Sequence, residues 1–282
     1  MANPWDPTHL VSPELARELI EAQFPELMPA QVAPLGSGWD NTVLRVNGTL
    51  AFRFPRREIA VPLLETELRV LPRLQLPLPV PKPLYTGRPG AGYPWPFYGH
   101  EALPGVSADA AQLSEEQRLL AAAPLGAFLR ALHAQPAGDA APGGAGRTDV
   151  ERLLRELRAR QPEVVPFAER VATQCTAPEP RALVHGDLHS RQLLFHAGTL
   201  SGVIDWGDAH FNDPAVDLSV AFSFLQPAAR PAFFEAYGAA APPLSRLIAL
   251  HVSAATLMWA VDLRDEPLER EARLALCYAQ LP

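Results

Sequence analysis

The sequence predicts an α+β protein, with a small antiparallel sheet in the first third of the chain and a larger, mainly helical remainder. Two alternating apolar runs joined by Asn47-Gly48 predict a β-hairpin, because this dipeptide favours the tight turn of a hairpin. From Ser114 onwards, apolar residues recur mostly at helical intervals. The chain has 282 residues and 48% hydrophobic content, which is enough for two moderate domains. We expect an N-terminal lobe of residues 1–102 and a C-terminal lobe of residues 103–282.

Composition argues against several classes of protein. The formal net charge of −7 disfavours a nucleic-acid-binding protein. Cys175 and Cys277 lie far apart and form no C-x-x-C pair, which argues against a disulfide scaffold or a zinc site and fits a reducing cytoplasm. Residues 1–15 have neither a basic start nor an apolar run, so we expect no secretory signal. The apolar run 247–261 contains His251 and is too short to span a bilayer, so it predicts a buried helix and no membrane partner.

The first hundred residues carry helix and turn signals in a regular order. Ser12 followed by Pro13 is typical of a helix start, since proline fits the first helical position. Four leucines from Leu63 to Leu71 recur at helical spacing, so a helix is expected after the hairpin. Proline-rich and glycine-rich segments then separate short strands. Residues 97–103 are expected to form the last strand and the connection to the second lobe.

The remainder of the chain is expected to be mainly helical. The sequence SEEQ, which begins at Ser114, is a capping-box pattern. Residues 135–147 are of low complexity and predict a flexible loop. The sequences RALVH (181–185) and LSGVID (200–205) are expected to form a short strand pair flanked by helices.

The sequence LVHGDLHSRQLLF, residues 183–195, carries the most informative pattern. Its spacing matches the H-x-D-L-x-x-x-N loop of phosphoryl-transfer enzymes, except that Gln192 stands where that pattern has Asn. In such a loop Asp187 would accept or orient the proton of a hydroxyl that attacks phosphorus. His185 would brace the loop.

A second aspartate follows in the expected order. An apolar strand ends in Asp205-Trp206-Gly207, which is similar to the D-F-G sequence whose Asp holds magnesium. Asp205 lies 18 positions after Asp187 (205 − 187), which leaves room for a hairpin between them. A lone Asp at a strand end is usually a cap or turn residue. Two such patterns in register favour a phosphoryl-transfer site.

Upstream, the sequence Gly36-Ser37-Gly38 precedes the hairpin. Glycines let backbone N–H groups approach phosphates closely. Asn41 replaces the third glycine of the G-x-G-x-x-G pattern, so an ordinary turn is an equal interpretation of this segment.

Within the hairpin, residues 50–53 (LAFR) stand where a kinase has V-A-I-K. Strand alternation puts Ala51 and Arg53 on one face, where Ala51 would cover a nucleotide base and Arg53 would reach its phosphates. Lys82 is the only lysine, and an arginine fork can replace lysine in holding a phosphate and a carboxylate.

Other interpretations of Arg53 stay open from the sequence. It is a solvated strand arginine in the plainest interpretation, and Arg56 and Arg57 compete for the phosphate role. Glu67 on the following helix is the favoured carboxylate partner, with Glu65 as the alternative.

These blocks resemble the aminoglycoside phosphotransferase family, including its macrolide phosphotransferase branch. The resemblance rests on HGDLHSRQLLF and GVIDWGDAHFNDPAVDLS, with FRFPRR, GHEALPG and LGAFLRALHA as similar flanking blocks, and it covers residues 35–225. It implies a protein-kinase-like bilobal fold, with a nucleotide-binding N-terminal lobe and a catalytic, acceptor-binding C-terminal lobe. It also implies magnesium-dependent transfer of the γ-phosphate of ATP or GTP to a hydroxyl, and hence roles in antibiotic resistance.

The resemblance further implies a role for each matched residue. Asp187 would be the catalytic base, assisted by His185 and Arg53, while Gln192 and Asp205 would bind Mg²⁺. Structural roles are implied for Asp213, as a helix cap, and for Asp217, as a support of the catalytic loop; His189 matches a common family position. The nucleotide would contact Gly36, Ser37, Gly38, Ala51, Arg53, Glu67, Glu101, Ala102 and Leu103.

Three other functions were weighed against this one. A protein kinase is disfavoured because only five residues (208–212) separate the D-W-G sequence from Asp213, too few for an activation loop that docks peptides. A metallophosphoesterase is suggested by Asp187-Leu188-His189, but its further Asn and His ligands are not found. An inactive nucleotide-binding module is suggested by Gln192 and Arg53. Gln offers the same amide oxygen as Asn, one methylene further out, so we interpret the chain as active.

The acceptor is predicted to be a small molecule, and an aminoglycoside-type antibiotic is favoured over a macrolide or a metabolite such as a sugar or amino alcohol. Clustered carboxylates with a few aromatic residues suit a cationic amino sugar, although a solvated acidic helix face is an equal interpretation. The residues expected to serve such an acceptor are Asp208, Asp213, Asp262, Asp265, Glu266, Glu269, Glu271, Trp259 and Tyr237. A macrolide would instead need Phe211, Phe222, Phe233 or Phe234.

Overall fold

A computed structural model describes residues 7–38, 40–136, 138, 143 and 145–281, without the side chains of Ser37 and Ala145. The chain divides into two compact units, residues 1–73 with 80–103 and residues 74–79 with 104–282. The first unit carries an antiparallel sheet and the second is mainly helical, which confirms the predicted α+β class. The assignment of nucleotide binding to residues 1–102 and of catalysis to 103–282 stays a prediction.

The first unit is a five-stranded antiparallel sheet with two α-helices. Its elements are α1 (Pro13–Gln23), β1 (Val32–Ser37), β2 (Asn41–Val46), β3 (Leu50–Pro55), α2 (Val61–Val70), β4 (Tyr85–Gly87) and β5 (Phe97–Glu101). The strands lie in the order β1-β2-β3-β5-β4, and each pairs with its neighbour in antiparallel register. One-turn 3-10 helices lie at Pro25–Leu27, Glu58–Ala60 and Leu71–Arg73.

The predicted helix start and hairpin are both present. Ser12 caps α1, and its Oγ accepts a hydrogen bond from the Leu15 N–H at 3.3 Å. Asn47 and Gly48 link β2 to β3 with φ angles of 50° and 74°, a left-handed backbone that Asn and Gly adopt readily. Because the connection has only three residues, 47–49, it fixes the register in which Val46 faces Leu50.

The core of the first unit is an aromatic cluster beneath the sheet. Phe52, Phe54 and Phe97 are fully buried, and the rings of Phe54 and Phe97 stack with centroids 4.7 Å apart. Tyr93 closes the cluster and donates its hydroxyl to the Pro55 carbonyl at 2.8 Å. These rings hold β3 against β5 and so fix the strand that carries Arg53.

The second unit consists of helices around two small sheets. Its elements are β6 (Val106–Ser107), α3 (Ala108–Ala111), α4 (Glu115–His133), α5 (Val150–Arg160), α6 (Val165–Ala172), β7 (Ala182–Val184), β8 (Leu193–His196), β9 (Thr199–Val203), β10 (His210–Asn212), α7 (Ala215–Leu218), α8 (Val220–Ser223), α9 (Arg230–Tyr237), α10 (Pro243–Leu263) and α11 (Glu266–Gln280). One-turn 3-10 helices lie at Ala145–Arg147, Pro162–Val164, Ser190–Gln192 and Pro227–Ala229. The capping box predicted at Ser114 is present, with Gln117 as its partner. Of the loop predicted at 135–147, residues 137, 139–142 and 144 lie outside the described part of the chain.

The predicted pairing of RALVH with LSGVID is wrong. β7, from RALVH, pairs with β10, whereas β9, from LSGVID, pairs with β8 in a three-stranded sheet of order β6-β8-β9. The reason is the tight turn at Ala197-Gly198, where both residues have positive φ and β9 folds directly back on β8. β7 therefore finds its partner further along the chain.

The apolar run 247–261 lies within α10, as predicted. Among the described residues, α10 is the one helix long and apolar enough to cross a membrane by length and composition, and 61% of its most apolar window is buried inside the protein. The segment Leu74–Pro79 also belongs to the second unit, where the Pro79 carbonyl accepts a hydrogen bond from the Val203 N–H at 3.0 Å.

Candidate active site

A fully buried carboxylate holds the backbone of the H-G-D loop. The side chain of Asp217 accepts hydrogen bonds from the N–H groups of His185 at 2.7 Å and Gly186 at 3.0 Å. His133 Nε2 lies 3.2 Å from the same carboxylate, and His133 Nδ1 lies 2.9 Å from the Tyr237 hydroxyl. Burial alone would raise the pKa of Asp217, but His133 and the backbone donors lower it below its ordinary value. The loop is thus built on a buried, ionised aspartate.

His185 links this loop to the strand that leads to Asp205. Its Nε2 donates to the Ile204 carbonyl at 3.0 Å, and its Nδ1 accepts the Asp187 N–H at 3.3 Å. Between them, Gly186 has a φ of 89°, and a Cβ at this position would lie 2.2 Å from the Asp208 carbonyl oxygen. Only glycine therefore fits at the centre of the loop.

Asp187 stands at the surface end of the loop with its side chain about one third exposed. Arg147 donates to its Oδ1 at 3.0 Å, and His189 Nε2 lies 3.7 Å from its Oδ2. Burial opposes ionisation of Asp187, but the neighbouring His189 and Arg147 lower its pKa below the ordinary range. Asp187 is therefore held as an ionised carboxylate at the surface end of the loop.

Arg147 also donates to Asp208 Oδ1 at 2.8 Å, so one guanidinium joins two carboxylates. The pKa of Asp208 is raised, first by burial and then by repulsion from Asp187 and Asp205, although Arg147 acts in the opposite direction. Burial would lower the pKa of Arg147, but the two carboxylates raise it above its ordinary value. Sequence reasoning missed Arg147.

Gln192 and Asp205 flank the paired strands β8 and β9, since Gln192 directly precedes β8 and Asp205 lies two residues after the end of β9. The Ile204 N–H donates to the Gln192 carbonyl at 2.9 Å, which places Gln192 next to the residue that precedes Asp205. The side-chain oxygen of Gln192 is buried and has no hydrogen-bond partner among the described residues. Such an orphaned oxygen is uncommon and beside a carboxylate it suits a magnesium ion, which prefers oxygen ligands. The two side chains offer the oxygen ligands that Mg²⁺ prefers, and they would hold the ion if it binds here.

In the first unit, Arg53 pairs with Glu67 and not with the alternative Glu65. Arg53 Nε lies 3.3 Å from Glu67 Oε2, both side chains are buried, and Glu65 is exposed. The Tyr98 hydroxyl donates to the same Glu67 oxygen at 3.1 Å and fixes that carboxylate. Of the two competing arginines, Arg57 pairs with Asp40 and Arg56 donates to the Gly38 carbonyl at 2.7 Å.

The other predicted nucleotide contacts lie on the edge strand β1, on the central strand β3 and at the end of β5 in the same sheet. Gly36 and Gly38 face open space, since a Cβ at either would meet no atom within 4 Å. Ala51 is buried on β3 opposite His100, and the Ala102 N–H donates to the Thr49 carbonyl at 2.8 Å. Glu101 is exposed, Leu103 is half-buried, and the side chain of Ser37 lies outside the described residues. The roles of these residues stay predictions.

Comparison with known proteins assigns this chain to a family. The family model described as the phosphotransferase enzyme family (APH) matches residues 31–249. The chain belongs to this family. It is thus a phosphotransferase, and the match decides against the metallophosphoesterase interpretation of Asp187-Leu188-His189. No curated protein matches the sequence significantly.

Solved structures resemble this phosphotransferase over almost its whole length. One is the GDP complex of the wild-type aminoglycoside 2′-phosphotransferase-IIIa, at 22% identity and a TM-score of 0.71, which covers 96% of this chain and 99% of that chain. A GDP and kanamycin complex of an APH(2″) enzyme has 23% identity and a TM-score of 0.67 over 93% and 97% of the two chains. The macrolide 2′-phosphotransferase MphH from Brachybacterium faecium has 19% identity and a TM-score of 0.64 over 94% and 97%. At these identities the likeness shows the fold.

The acidic residues expected to serve the acceptor of this phosphotransferase do not form one cluster. Glu271 is buried in a bidentate ion pair with Arg118, at 2.6 and 2.9 Å. Asp213 accepts from backbone N–H groups as a helix cap. Other members are engaged at the surface: Glu269 pairs with Arg273, and Asp265 caps α11. The expectation was wrong in this respect because residues spaced along helices face different directions.

Three side chains near the loop were not found by sequence reasoning: Arg147, His133 and Asp109. Asp109 is buried on α3, and its carboxylate lies 3.8 Å from Arg191, which in turn lies 3.9 Å from Asp265. Each of these contacts joins residues 40 or more positions apart. A single sequence carries no local signal for such pairs.

Proposed function

We propose that this phosphotransferase transfers the γ-phosphoryl group of ATP or GTP to a hydroxyl of an aminoglycoside-type antibiotic. The observation that carries the proposal is the H-G-D loop, in which buried Asp217 fixes the backbone and Asp187 projects as an ionised carboxylate. A positioned carboxylate of this kind suits a base that accepts the hydroxyl proton during phosphoryl transfer. Neighbouring folds with bound GDP support a nucleotide donor.

Each remaining residue has a part in this proposal. His185 keeps Asp187 in place through its two hydrogen bonds. Arg53, held by Glu67, binds donor phosphates in place of the usual lysine, because its fork can hold a carboxylate and a phosphate together. The nucleotide lies against Ala51 and the segment 101–103, with its phosphates near Gly36, Ser37 and Gly38.

Gln192 and Asp205 would hold the magnesium ion. Their support is the orphaned amide oxygen of Gln192 beside the strand end that carries Asp205. Bound Mg²⁺ would neutralise negative charge on the phosphates of the donor. An inactive nucleotide-binding module is the alternative, but a buried, unpartnered ligand oxygen and a paired Arg53 favour an active site.

Electrostatics favour an acceptor that carries a cationic group. Asp187 and Asp208 together accept one cationic group, the guanidinium of Arg147. Of the phenylalanines that a macrolide would need, Phe222 and Phe233 are buried in the protein core, and Phe234 packs against both. Phe211 is half-buried on β10. A macrolide or a metabolite with a hydroxyl remains the alternative acceptor within the same chemistry.

A cytoplasmic location is part of the proposal. Cys175 and Cys277 are both free thiols, which suits a reducing compartment. The single apolar helix of membrane-spanning length is mostly buried, which suits a core helix.

The test is a nucleotide-consumption screen with Mg²⁺ present, against a panel of aminoglycosides, macrolides, sugars and amino alcohols. We expect ATP or GTP consumption that depends on an amino sugar and on Mg²⁺, and its loss in Asp187→Asn. The matched control is Glu169→Gln, which alters an exposed ion pair with Arg158 away from the loop. If only macrolides are turned over, the acceptor is a macrolide and not an aminoglycoside. If no acceptor is turned over, the inactive nucleotide-binding module is supported.

A further inference from the structure

The guanidinium of Arg147 stands at the position where an acceptor has to approach the catalytic loop. It donates to Asp187 Oδ1 at 3.0 Å and to Asp208 Oδ1 at 2.8 Å, and its side chain is about one third exposed. Because Asp187 is the base in the proposed function, the same carboxylate has to receive the acceptor hydroxyl. An arginine and an acceptor therefore contend for one carboxylate.

Removal of Arg147 would leave two neighbouring carboxylates that need a cation. Asp187 and Asp205 repel the charge of Asp208, and among the residues that the structure describes Arg147 supplies the opposing charge. His189 faces the other oxygen of Asp187 at 3.7 Å and does not contact Asp208 in any described hydrogen bond. An unpaired carboxylate pair of this kind attracts an ammonium or guanidinium group strongly.

The position of Arg147 in the chain lets it leave without disturbing the fold. It ends the one-turn 3-10 helix Ala145–Arg147, just before α5, whose start is capped separately by Asp149 through the Arg152 N–H at 3.1 Å. On the other side, the Gly143 N–H is anchored to the Phe211 carbonyl at 2.9 Å. Contacts that do not involve the Arg147 side chain thus hold the backbone on both sides of it, so the proposal below requires movement of that side chain alone.

We propose that Arg147 is an internal competitor of the acceptor, occupying a cation subsite formed by Asp187 and Asp208. An acceptor with an ammonium or guanidinium group beside its reactive hydroxyl displaces Arg147, places its own cation between the carboxylates and brings the hydroxyl to Asp187. This inference rests on the proposed function and adds the chemical class of the acceptor: a molecule whose cation lies next to the hydroxyl that is phosphorylated. An acceptor without such a cation leaves Arg147 in place and is selected against.

The first experiment needs no catalysis. Protein labelled with ¹³C at aspartate carboxyls is titrated with methylguanidinium chloride at constant ionic strength, for the wild type, Arg147→Ala and the control Arg158→Ala. We expect the Asp187 and Asp208 signals of Arg147→Ala to move at roughly tenfold lower methylguanidinium concentration than in the wild type, since an internal occupant weakens apparent binding. Arg158→Ala, which loses an exposed ion pair on α5, should match the wild type. Equal response of the wild type and Arg147→Ala overturns the proposal.

The second experiment measures phosphoryl transfer to kanamycin, or to the amine-bearing acceptor that the screen identifies. We expect Arg147→Ala to lower KM for that acceptor roughly tenfold with kcat kept or raised, and Arg147→Lys to behave like the wild type. If kcat falls and KM is unchanged, Arg147 positions Asp187 and the competitor proposal is wrong. Should Arg147→Ala fail to fold, Arg147→Gln keeps the length of the side chain and replaces it in both experiments.

The two experiments separate failure of this inference from failure of the proposed function. If the titration shows the expected difference but the wild type transfers no phosphoryl group, the cation subsite is supported and the proposed antibiotic-kinase function is rejected. If phosphoryl transfer occurs but the wild type and Arg147→Ala respond equally to methylguanidinium, the kinase function is supported and the competitor role of Arg147 is rejected.

Discussion

The two units of the molecule differ in the polarity of the residues buried at their centres. In the first unit, the centre is the aromatic cluster of Phe52, Phe54 and Phe97, all without solvent exposure. In the second, the groups beneath the catalytic loop are polar, and Asp217 and His185 are as fully buried as those rings. The same degree of burial thus serves apolar contact in one unit and hydrogen bonding in the other.

This difference shows what each centre contributes. Burial of aromatic surface stabilises the fold, and it tolerates changes that conserve volume. A buried carboxylate contributes little net stability when all its hydrogen bonds are formed. Any other loop conformation would leave buried polar groups without hydrogen bonds, so one conformation is strongly favoured. The first centre therefore supports the sheet, whereas the second fixes the geometry of Asp187. Five substitutions or conditions test this contrast.

The largest effect is expected in the aromatic cluster. Phe52→Ala should lower the free energy of unfolding of the protein by about 3–5 kcal/mol, because it leaves a cavity among rings that cannot close it. The measurement is chemical denaturation followed by circular dichroism. Ile59→Ala, at a side chain 68% exposed in the same unit, is the control and should change stability by less than about 0.5 kcal/mol.

The next effect concerns the buried carboxylate. Asp217→Asn should lower the free energy of unfolding by about 2–3 kcal/mol. The N–H groups of His185 and Gly186 donate to different oxygens of Asp217, and in the variant one of them would face an NH2 group, which cannot accept a hydrogen bond. Turnover should fall as well, because the loop that carries Asp187 loses its anchor. Asp262→Asn, at an exposed position on α10, is the matched control. If Asp217→Asn lowers stability but keeps full activity, Asp217 does not determine the conformation of the loop that carries Asp187.

Asp187→Asn should separate activity from stability. Turnover is expected to fall by about 10²-fold or more, the scale of a lost general base. Nucleotide affinity and unfolding should be nearly unchanged, since Asp187 lies at the surface end of the loop and anchors no backbone. Steady-state kinetics and nucleotide titration measure the two quantities. Equal losses in binding and turnover would mean that Asp187 is structural.

A buried histidine makes the first unit sensitive to acid. Burial, with a smaller contribution from Arg53, lowers the pKa of His100 to about 4, below the ordinary value of 6.5. Between these two pH values the unfolded chain binds more protons than the folded protein, so stability falls as pH drops below 6.5. The loss attributable to His100 should reach at most about 2 kcal/mol at pH 5. His100→Gln should flatten this part of the stability–pH curve, whereas His196→Gln, at an exposed position on β8, should not.

The smallest effect is expected at Gln192. Gln192→Asn should keep activity within a few-fold and lower the magnesium concentration needed for half-maximal rate, since the shorter amide costs less side-chain entropy to fix. Asp205→Ala, by contrast, should abolish magnesium-dependent turnover because it removes the carboxylate ligand of the metal. A magnesium titration of both variants provides the measurement. An inactive Gln192→Asn would contradict the proposed arrangement of the loop.

Sequence reasoning succeeded where the signal was local. Asn47-Gly48 predicted the hairpin and Ser114 predicted the start of α4, because turn and cap chemistry act within four residues. The partner of Arg53 was predicted correctly as Glu67, from its place on the helix that follows the hairpin.

Prediction failed where partners lie far apart in the chain. Asp217 meets His133 across 84 positions, and Asp187 meets Arg147 across 40. No periodicity or spacing links such residues, since tertiary packing alone brings them together. For the same reason, β7 was matched with β9, the strand that leads to Asp205, and not with β10. The polar centre was therefore the part of the molecule least visible in the sequence.

The short segment Leu74–Pro79 has a consequence for dissecting the protein. Because it belongs to the second unit while the residues on either side belong to the first, the chain passes between the units after residues 73, 79 and 103. No single cleavage of the backbone can therefore release either unit whole. A fragment that begins at Pro104 lacks Pro79, whose carbonyl accepts the Val203 N–H two residues before Asp205. We therefore expect that fragments separated between residues 103 and 104, by limited proteolysis or by separate expression, form the native end of β9 only when they are mixed.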